Sequence, residues 1–226
     1  MTSFVVSTDP EAMIAIKRPE TNLVVWERSS DPELGPWLAA LLPDLQEVSC
    51  KLSAASRVQF PDDPYDPSPL VENLPEHPLR DRLKADLARI LRLFARSLGD
   101  TPRLHVSLAP VHNDMCRKLH VDRVLARLVT TYLGPGTEWA PNDAVAREFV
   151  AASACCPADH NKRVMRDPLA LRRAKTGDIV VMKGEAWPGN AGLGAVHRSP
   201  KIAEAGGRRL VFVATWLAPI VRGVLL

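Results

Sequence analysis

His120 and Asp122 stand two residues apart in Leu119-His120-Val121-Asp122-Arg123-Val124, and His197 follows far downstream in Val196-His197-Arg198-Ser199-Pro200. On an extended chain, residues i and i+2 point to one face, so an imidazole nitrogen and a carboxylate oxygen can reach a single cation; on a helix that spacing diverges. With 6 histidines in 226 residues, His-x-Asp is expected by chance about 0.4 times, so the extended setting and the distant third ligand carry the case. Two imidazoles and one carboxylate on one side of a divalent ion leave coordination positions open, which serves chemistry rather than a closed structural site. His120, Asp122 and His197 are therefore candidate metal ligands and catalytic residues.

A second group of side chains suits an organic acid. Arg208 and Arg209 follow His197 by about a dozen residues at the start of a strand-like run, where a guanidinium can hold a carboxylate bidentately. Alternation lets only one of the two point inward. Arg208 shares parity with Phe212 and Trp216, and Arg209 with Val211, Val213 and Thr215; Arg208 is the preferred anchor. Tyr132 and Thr130 share the parity of His120 and Asp122 if no bulge intervenes, which makes Tyr132 a further candidate for binding a co-substrate, with core packing as the competing account. Glu138, Trp139, Trp187 and Asn190 sit in Gly-rich loops that read as a pocket mouth or as loop caps. His77, His105, His112 and His160 read as surface or hydrogen-bonded histidines, and Cys116 as a small buried side chain.

The elements that must position these residues change character along the chain. Pro36 to Leu42 reads as a short helix, and Pro78 to Leu98 places Leu79, Leu83, Leu87, Ile90, Leu91 and Phe94 at helical spacing, stopped by Gly99. Between them, prolines crowd Phe60 to Pro69, which predicts a loop. Past Asp100, Arg103 to Leu108, Val124 to Leu133, Ile179 to Met182 and Leu210 to Trp216 are rich in Val, Leu and Thr between turn residues, which predicts strands. No convincing helix separates them, so an alternating parallel sheet is disfavoured and an antiparallel barrel or jelly roll is expected. The expected organisation is α+β, mainly β: a helical N-terminal part over residues 1–100, packed on a β-rich metal-binding part over residues 101–226.

Composition narrows the function classes. At 46% hydrophobic and 24% charged, the chain matches globular rather than disordered proteins. A net charge of +3, with basic and acidic residues interspersed, implies no nucleic-acid or membrane partner. The apolar run Leu210 to Val221 contains Pro219 and is about half the length a membrane helix needs. Met1 to Lys17 carries Asp9 and Glu11 and lacks a basic start, so no secretory signal is expected. Cys50, Cys116, Cys155 and Cys156 show no CxxC pairing, which favours a reducing cytoplasm. Gly189 to Gly194 lacks the strand-to-helix setting and the Lys-Ser/Thr ending of a phosphate loop.

Taken in order, His120-x-Asp122, Gly177-Asp178 before a strand, His197 and an arginine at a strand start resemble the 2-oxoglutarate/Fe(II)-dependent oxygenase superfamily. Leu119 to Val124, Gly134-Pro135-Gly136-Thr137-Glu138-Trp139, Lys183-Gly184-Glu185-Ala186-Trp187 and Val196 to Pro200 more closely resemble the bacterial family of unknown function eighteen-twenty-six (DUF1826). The superfamily resemblance implies a double-stranded β-helix, Fe(II) held by His120, Asp122 and His197, and 2-oxoglutarate paired with Arg208 or Arg209. It also implies oxidation, by default hydroxylation, of a small-molecule or peptide substrate. The alternative is a cupin-like protein holding Zn(II) or another divalent ion for sensing, storage or partner binding, with Cys116 or His112 as fourth ligand. A third reading is an interaction module whose working surface is the N-terminal helices.

Overall fold

The computed structural model describes residues 3–53, 63–99, 102–112, 116–152, 156–202 and 207–216. Its larger sheet has seven strands, in the order β1 (Phe4–Ser7), β2 (Leu23–Trp26), β8 (Ile179–Lys183), β5 (Ala126–Leu133), β10 (Arg209–Trp216), β4 (Leu104–Val111) and β3 (Val48–Leu52). β1 and β2 run parallel, and the remaining neighbours are antiparallel. A smaller sheet orders β7 (Arg172–Arg173), β6 (Glu138–Ala140) and β9 (Val196–Arg198), and an isolated bridge joins His120 to His197 on β9.

Alternation along β10 divides the core. Leu210, Phe212 and Ala214 face the helices, where they share one cluster with Leu128 of β5 and with Leu83, Leu87, Ile90, Leu91 and Phe94. Those last five lie on α3 (Pro78–Leu98), which spans the residues its periodicity predicts. Pro78 opens α3, the His77 ring accepts from the Leu79 amide at 3.2 Å, and Gly99 ends it at φ 103°. Each fully buried Leu or Phe of this stripe contributes roughly 1.5–3 kcal/mol. The opposite parity, Val211 with Val213, meets Leu23, Val25, Val129, Val180 and Met182 in a second cluster with Trp139 of the smaller sheet. This is the space between the two sheets.

The structure corrects the expectation of a helical N-terminal part. The first hundred residues do supply α1 (Leu34–Leu41), α2 (Ser68–Val71) and α3, but they also supply β1, β2 and β3, which take both edges of the seven-stranded sheet. Runs of four or five residues give no usable period, and β2 is buried along its whole length, so the alternation that would mark a half-buried strand is missing. The proline-rich segment falls partly outside the described residues, and its end, Ser68 with Pro69, opens α2. Residues 217–221 of the last apolar run also lie outside them, as does Cys155. Among the described residues, no helix is long and apolar enough to cross a membrane.

Candidate metal centre

The two histidines meet by strand pairing. The His120 amide donates to the His197 carbonyl and the His197 amide to the His120 carbonyl, both at 3.0 Å, so their side chains leave the same face with ring centroids 4.5 Å apart. Helix α4 (Pro157–Val164) holds the approach to His120. Asn161 accepts from the Leu119 amide at 2.6 Å and donates to the Arg117 carbonyl at 2.8 Å, and His160 Nε2 bonds the Leu119 carbonyl at 2.8 Å. His160 is thus a hydrogen-bonded histidine, as expected.

Asp122 arrives on an irregular segment rather than within a strand, since β5 begins only at Ala126. The segment after β8 straps it in place. The Glu185 amide donates to the Asp122 carbonyl at 2.9 Å and the Gly184 amide to the Leu125 carbonyl at 3.0 Å. A Cβ on Gly184 would lie 2.0 Å from the Val124 oxygen and 2.7 Å from the Asp122 oxygen, so only glycine permits this approach. The Glu185 carboxylate then accepts from the amides of Gly192 at 2.7 Å and Gly194 at 3.1 Å, fixing the loop that leads into β9.

His120, Asp122 and His197 each offer one ligand atom, and these atoms all lie within 4.8 Å of one another. His120 Nδ1 contacts the Lys118 carbonyl at 2.8 Å and His197 Nδ1 the Ala195 carbonyl at 3.0 Å. A carbonyl only accepts, so each Nδ1 carries the proton and each Nε2 keeps its lone pair. Burial pushes His197 down to about 4, against the opposing pull of Asp122, so its ring is neutral near pH 7. Asp122 Oδ2 lies 3.4 Å from His197 Nε2, is buried, and has no hydrogen-bond partner among the described residues. The Nε2 atoms of the two rings and the Asp122 carboxyl thus lie together, as shared ligation of one cation requires.

The orphaned carboxylate oxygen, the donor set and the locked tautomers all fit a divalent metal. Among the described residues no fourth His, Cys, Asp or Glu joins the cluster. Cys116 is exposed, its carbonyl accepting from the Ser199 amide, and His112 is exposed as well. The four-ligand closure of a structural zinc site is therefore not met by these two residues.

Arg127 is the residue the sequence reading missed. Its Nη1 donates to Asp122 Oδ1 at 2.8 Å, and its Nε reaches Thr215 Oγ1 at 3.4 Å. The signal was present: Arg127 shares parity with Val129 on the inner face of β5.

The two arginines separate clearly. Arg208 precedes β10 and is exposed, whereas Arg209 is 2% exposed and belongs to the set that faces the smaller sheet. The preference for Arg208 is thereby corrected. Arg209 Nη2 donates to Thr131 Oγ1 at 3.0 Å, while its buried Nε has no partner among the described residues. Burial pushes Arg209 down to about 10, against the pull of Glu138.

Tyr132 is not brought to the triad. The pairing of β5 with β10 skips it, Leu210 facing Leu133 and Val211 facing Thr131, and its ring packs among the residues of the helix side. Its hydroxyl donates to Asp86 on α3 at 2.6 Å, and burial raises its pKa well above the usual value. Thr130 likewise bonds the Gly177 carbonyl, away from the triad. Asn190 caps its own loop through the Gly184 carbonyl at 3.0 Å, and Trp187 meets Trp216 edge-on. Glu138 is held by Arg173 and Arg198, and Trp139 fills the space between the sheets.

Fold and site together define a mixed α/β, sheet-dominated protein with a three-residue cluster of metal-ligand geometry. The chain belongs to the family described as protein of unknown function DUF1826, whose pattern matches residues 7–214. No curated protein matches it. Among solved structures, it is similar to the dioxygenase for auxin oxidation 1 of Arabidopsis thaliana in a 2-oxoglutarate complex. That pair shares 10% identity over 97% of this chain and 94% of the other, with a TM-score of 0.45. A Pseudomonas putida prolyl-4-hydroxylase shares 12% identity over 93% and 100%, with a TM-score of 0.40. A full-length Neurospora crassa protein in complex with alpha-KG shares 10% identity over 94% and 84%, with a TM-score of 0.39. At these scores the likenesses carry no functional weight, and the site is read from its own geometry.

Proposed function

We propose that the protein is a non-haem Fe(II)- and 2-oxoglutarate-dependent oxygenase acting on a small-molecule or peptide substrate, built on a double-stranded β-helix over residues 101–226. The observation that carries this reading is the convergence of one ligand atom each from His120, Asp122 and His197 within 4.8 Å, with no fourth His, Cys, Asp or Glu among the described residues. The strand order supports the fold: β8-β5-β10-β4 forms one four-stranded layer, and β7-β6-β9 with the His120 bridge forms the other.

Fe(II) and 2-oxoglutarate, when bound, would supply the chemistry that couples O2 reduction and keto-acid decarboxylation to substrate hydroxylation. The chain's own work is placement. The Lys118 and Ala195 carbonyls fix both imidazole tautomers. Arg127 occupies Asp122 Oδ1 and so directs the other oxygen to the ion. Arg209, a buried cation with spare donor capacity, is suited to the distal carboxylate of the keto acid, and the apolar set of Val129, Val211 and Trp139 excludes water.

Anaerobic Fe(II) loading followed by titration with 2-oxoglutarate tests the reading. One iron per chain and a saturable metal-to-ligand charge-transfer band are expected, and His120→Ala loses both. Protein shown to hold iron that develops no band, or a His120→Ala variant with stoichiometric iron and full activity, overturns the assignment.

A further inference from the structure

A cavity of about 510 Å³ opens on the helix side of the seven-stranded sheet, between α3, the start of α1, and the ends of β2 and β5. Arg127, which holds Asp122, and Leu133, which lines the cavity, are separated by roughly 20 Å along β5. The volume is in the range of ligand sites, and the walls are a long helix and a sheet, so the space is preformed.

Its floor is a hydrogen-bonded trio of the half-buried Arg28 and Asp86 with the buried Tyr132. Arg28 binds both oxygens of Asp86 and donates Nε to the Gly177 carbonyl at 2.8 Å, while the Tyr132 hydroxyl donates to Asp86 Oδ2. These groups satisfy one another and leave no net charge. Arg82 is likewise matched by Asp31 and Glu33 at the rim.

Arg89 is different. It lines the same cavity one turn beyond Asp86 and lies over the Trp26 ring at 5.1 Å, and it has no ion-pair partner among the described residues. Arg28 pairs with Asp86 and Arg82 with Asp31 and Glu33, which leaves Arg89 as the lining guanidinium with no carboxylate in ion-pair distance among the described residues. Ser29 and Ser30, both exposed, also line the space, and their hydroxyls have no protein partner among the described residues. A free cation beside unpaired hydroxyls over a polar floor selects a small, polar anion and disfavours an apolar ligand.

We infer that this cavity is a second ligand site, separate from the triad, for a small organic acid or phosphate whose anionic group pairs with Arg89. The acid group contacts Arg89 and the Ser29 and Ser30 hydroxyls complete its hydrogen bonds. The cavity also adjoins the Arg209 region: Gly134 lines it, and a Cβ there would lie 2.8 Å from Arg209 Cγ. A test must therefore separate the two arginines.

Metal-free full-length protein is titrated calorimetrically with inorganic phosphate and, separately, with succinate. At least one binds with a dissociation constant of about 1 mM or tighter. Arg89→Gln weakens that binding about tenfold or more, as loss of a charge-assisted contact requires, while Arg209→Gln changes it less than about twofold. Phosphate binding alone or succinate binding alone identifies which acid the site accepts. The inference is overturned if neither anion binds, if Arg89→Gln binds as the parent does, or if Arg209→Gln abolishes the binding. Arg89 is exposed, so its substitution leaves the fold intact, and unchanged thermal unfolding checks this.

Discussion

Gly184→Ala puts the placement of Asp122 under direct strain. The added methyl would sit 2.0 Å from the Val124 carbonyl oxygen and 2.7 Å from that of Asp122, both backbone atoms that no rotamer change can clear. Ordinary contact begins near 3.4 Å, so the 122–124 segment or the strap over it must move by roughly 1 Å or more. Metal sites tolerate about 0.2 Å in ligand distance, so the displacement removes Asp122 from the ligand set. Overpacking of this kind costs about 1–3 kcal/mol, or about 2–4 °C in melting temperature per kcal/mol for a chain of this size. The assay is Mn(II) or Co(II) affinity by calorimetry beside Asp122→Ala as the benchmark and Gly35→Ala, whose Cβ meets nothing within 4 Å, as the control. Gly184→Ala falls to the affinity of Asp122→Ala, and Gly35→Ala stays with the parent. A Gly184→Ala protein that binds metal as the parent does refutes the reasoning.

The other expectations concern the remaining groups. Arg209→Gln raises the dissociation constant for 2-oxoglutarate about tenfold or more by removing a charge-assisted contact, while metal affinity and the exposed Arg208→Gln variant stay unchanged; equal losses in both arginine variants would contradict the parity argument. Tyr132→Phe costs about 0.5–1.5 kcal/mol of stability through its bond to Asp86 and leaves 2-oxoglutarate affinity unaltered, so a change in that affinity would return Tyr132 to the site. His197 titrates at about 4 in the folded metal-free chain and at 6.5 in its ordinary state, so between those values the unfolded chain binds more protons. Its contribution is present above pH 6.5 and is lost as pH falls to 4, which urea unfolding of the metal-free parent and of His197→Asn resolves: the parent loses more stability across that window, and parallel profiles would count against the buried neutral ring.

The residues that could be read from sequence were those with an unambiguous local period. The α3 stripe from Leu79 to Phe94 stands out because 3.6-residue spacing persists along most of a 21-residue helix, and that helix is recovered end to end. β5, β8 and β10 were legible as runs rich in Val, Leu and Thr between turn residues. His120, Asp122 and His197 were legible from the i, i+2 pair together with a distant third histidine, since the pair alone is expected by chance about 0.4 times. Tyr132 was misplaced because parity was carried through residues 123–125, where the chain turns before β5 starts at Ala126. One residue of slip moves every side chain to the other face, and the same slip hid Arg127. Arg208 and Arg209 are chemically identical neighbours, so only the tertiary packing of Val211 against Trp139 could say which was inside. β1, β2 and β3 are four or five residues long and display no period, and the equally short β8 was legible only as an apolar run behind the Gly177-Asp178 turn.

The central claim is that one cation sits between His120, Asp122 and His197 with exogenous positions to spare. Anomalous diffraction at the iron edge from crystals of Fe(II)-loaded protein tests it most directly. The account predicts a single peak within ligand distance of both Nε2 atoms and one Asp122 oxygen, with the rest of the sphere filled by solvent or co-substrate. A peak elsewhere, or one closed by a fourth protein side chain, contradicts it.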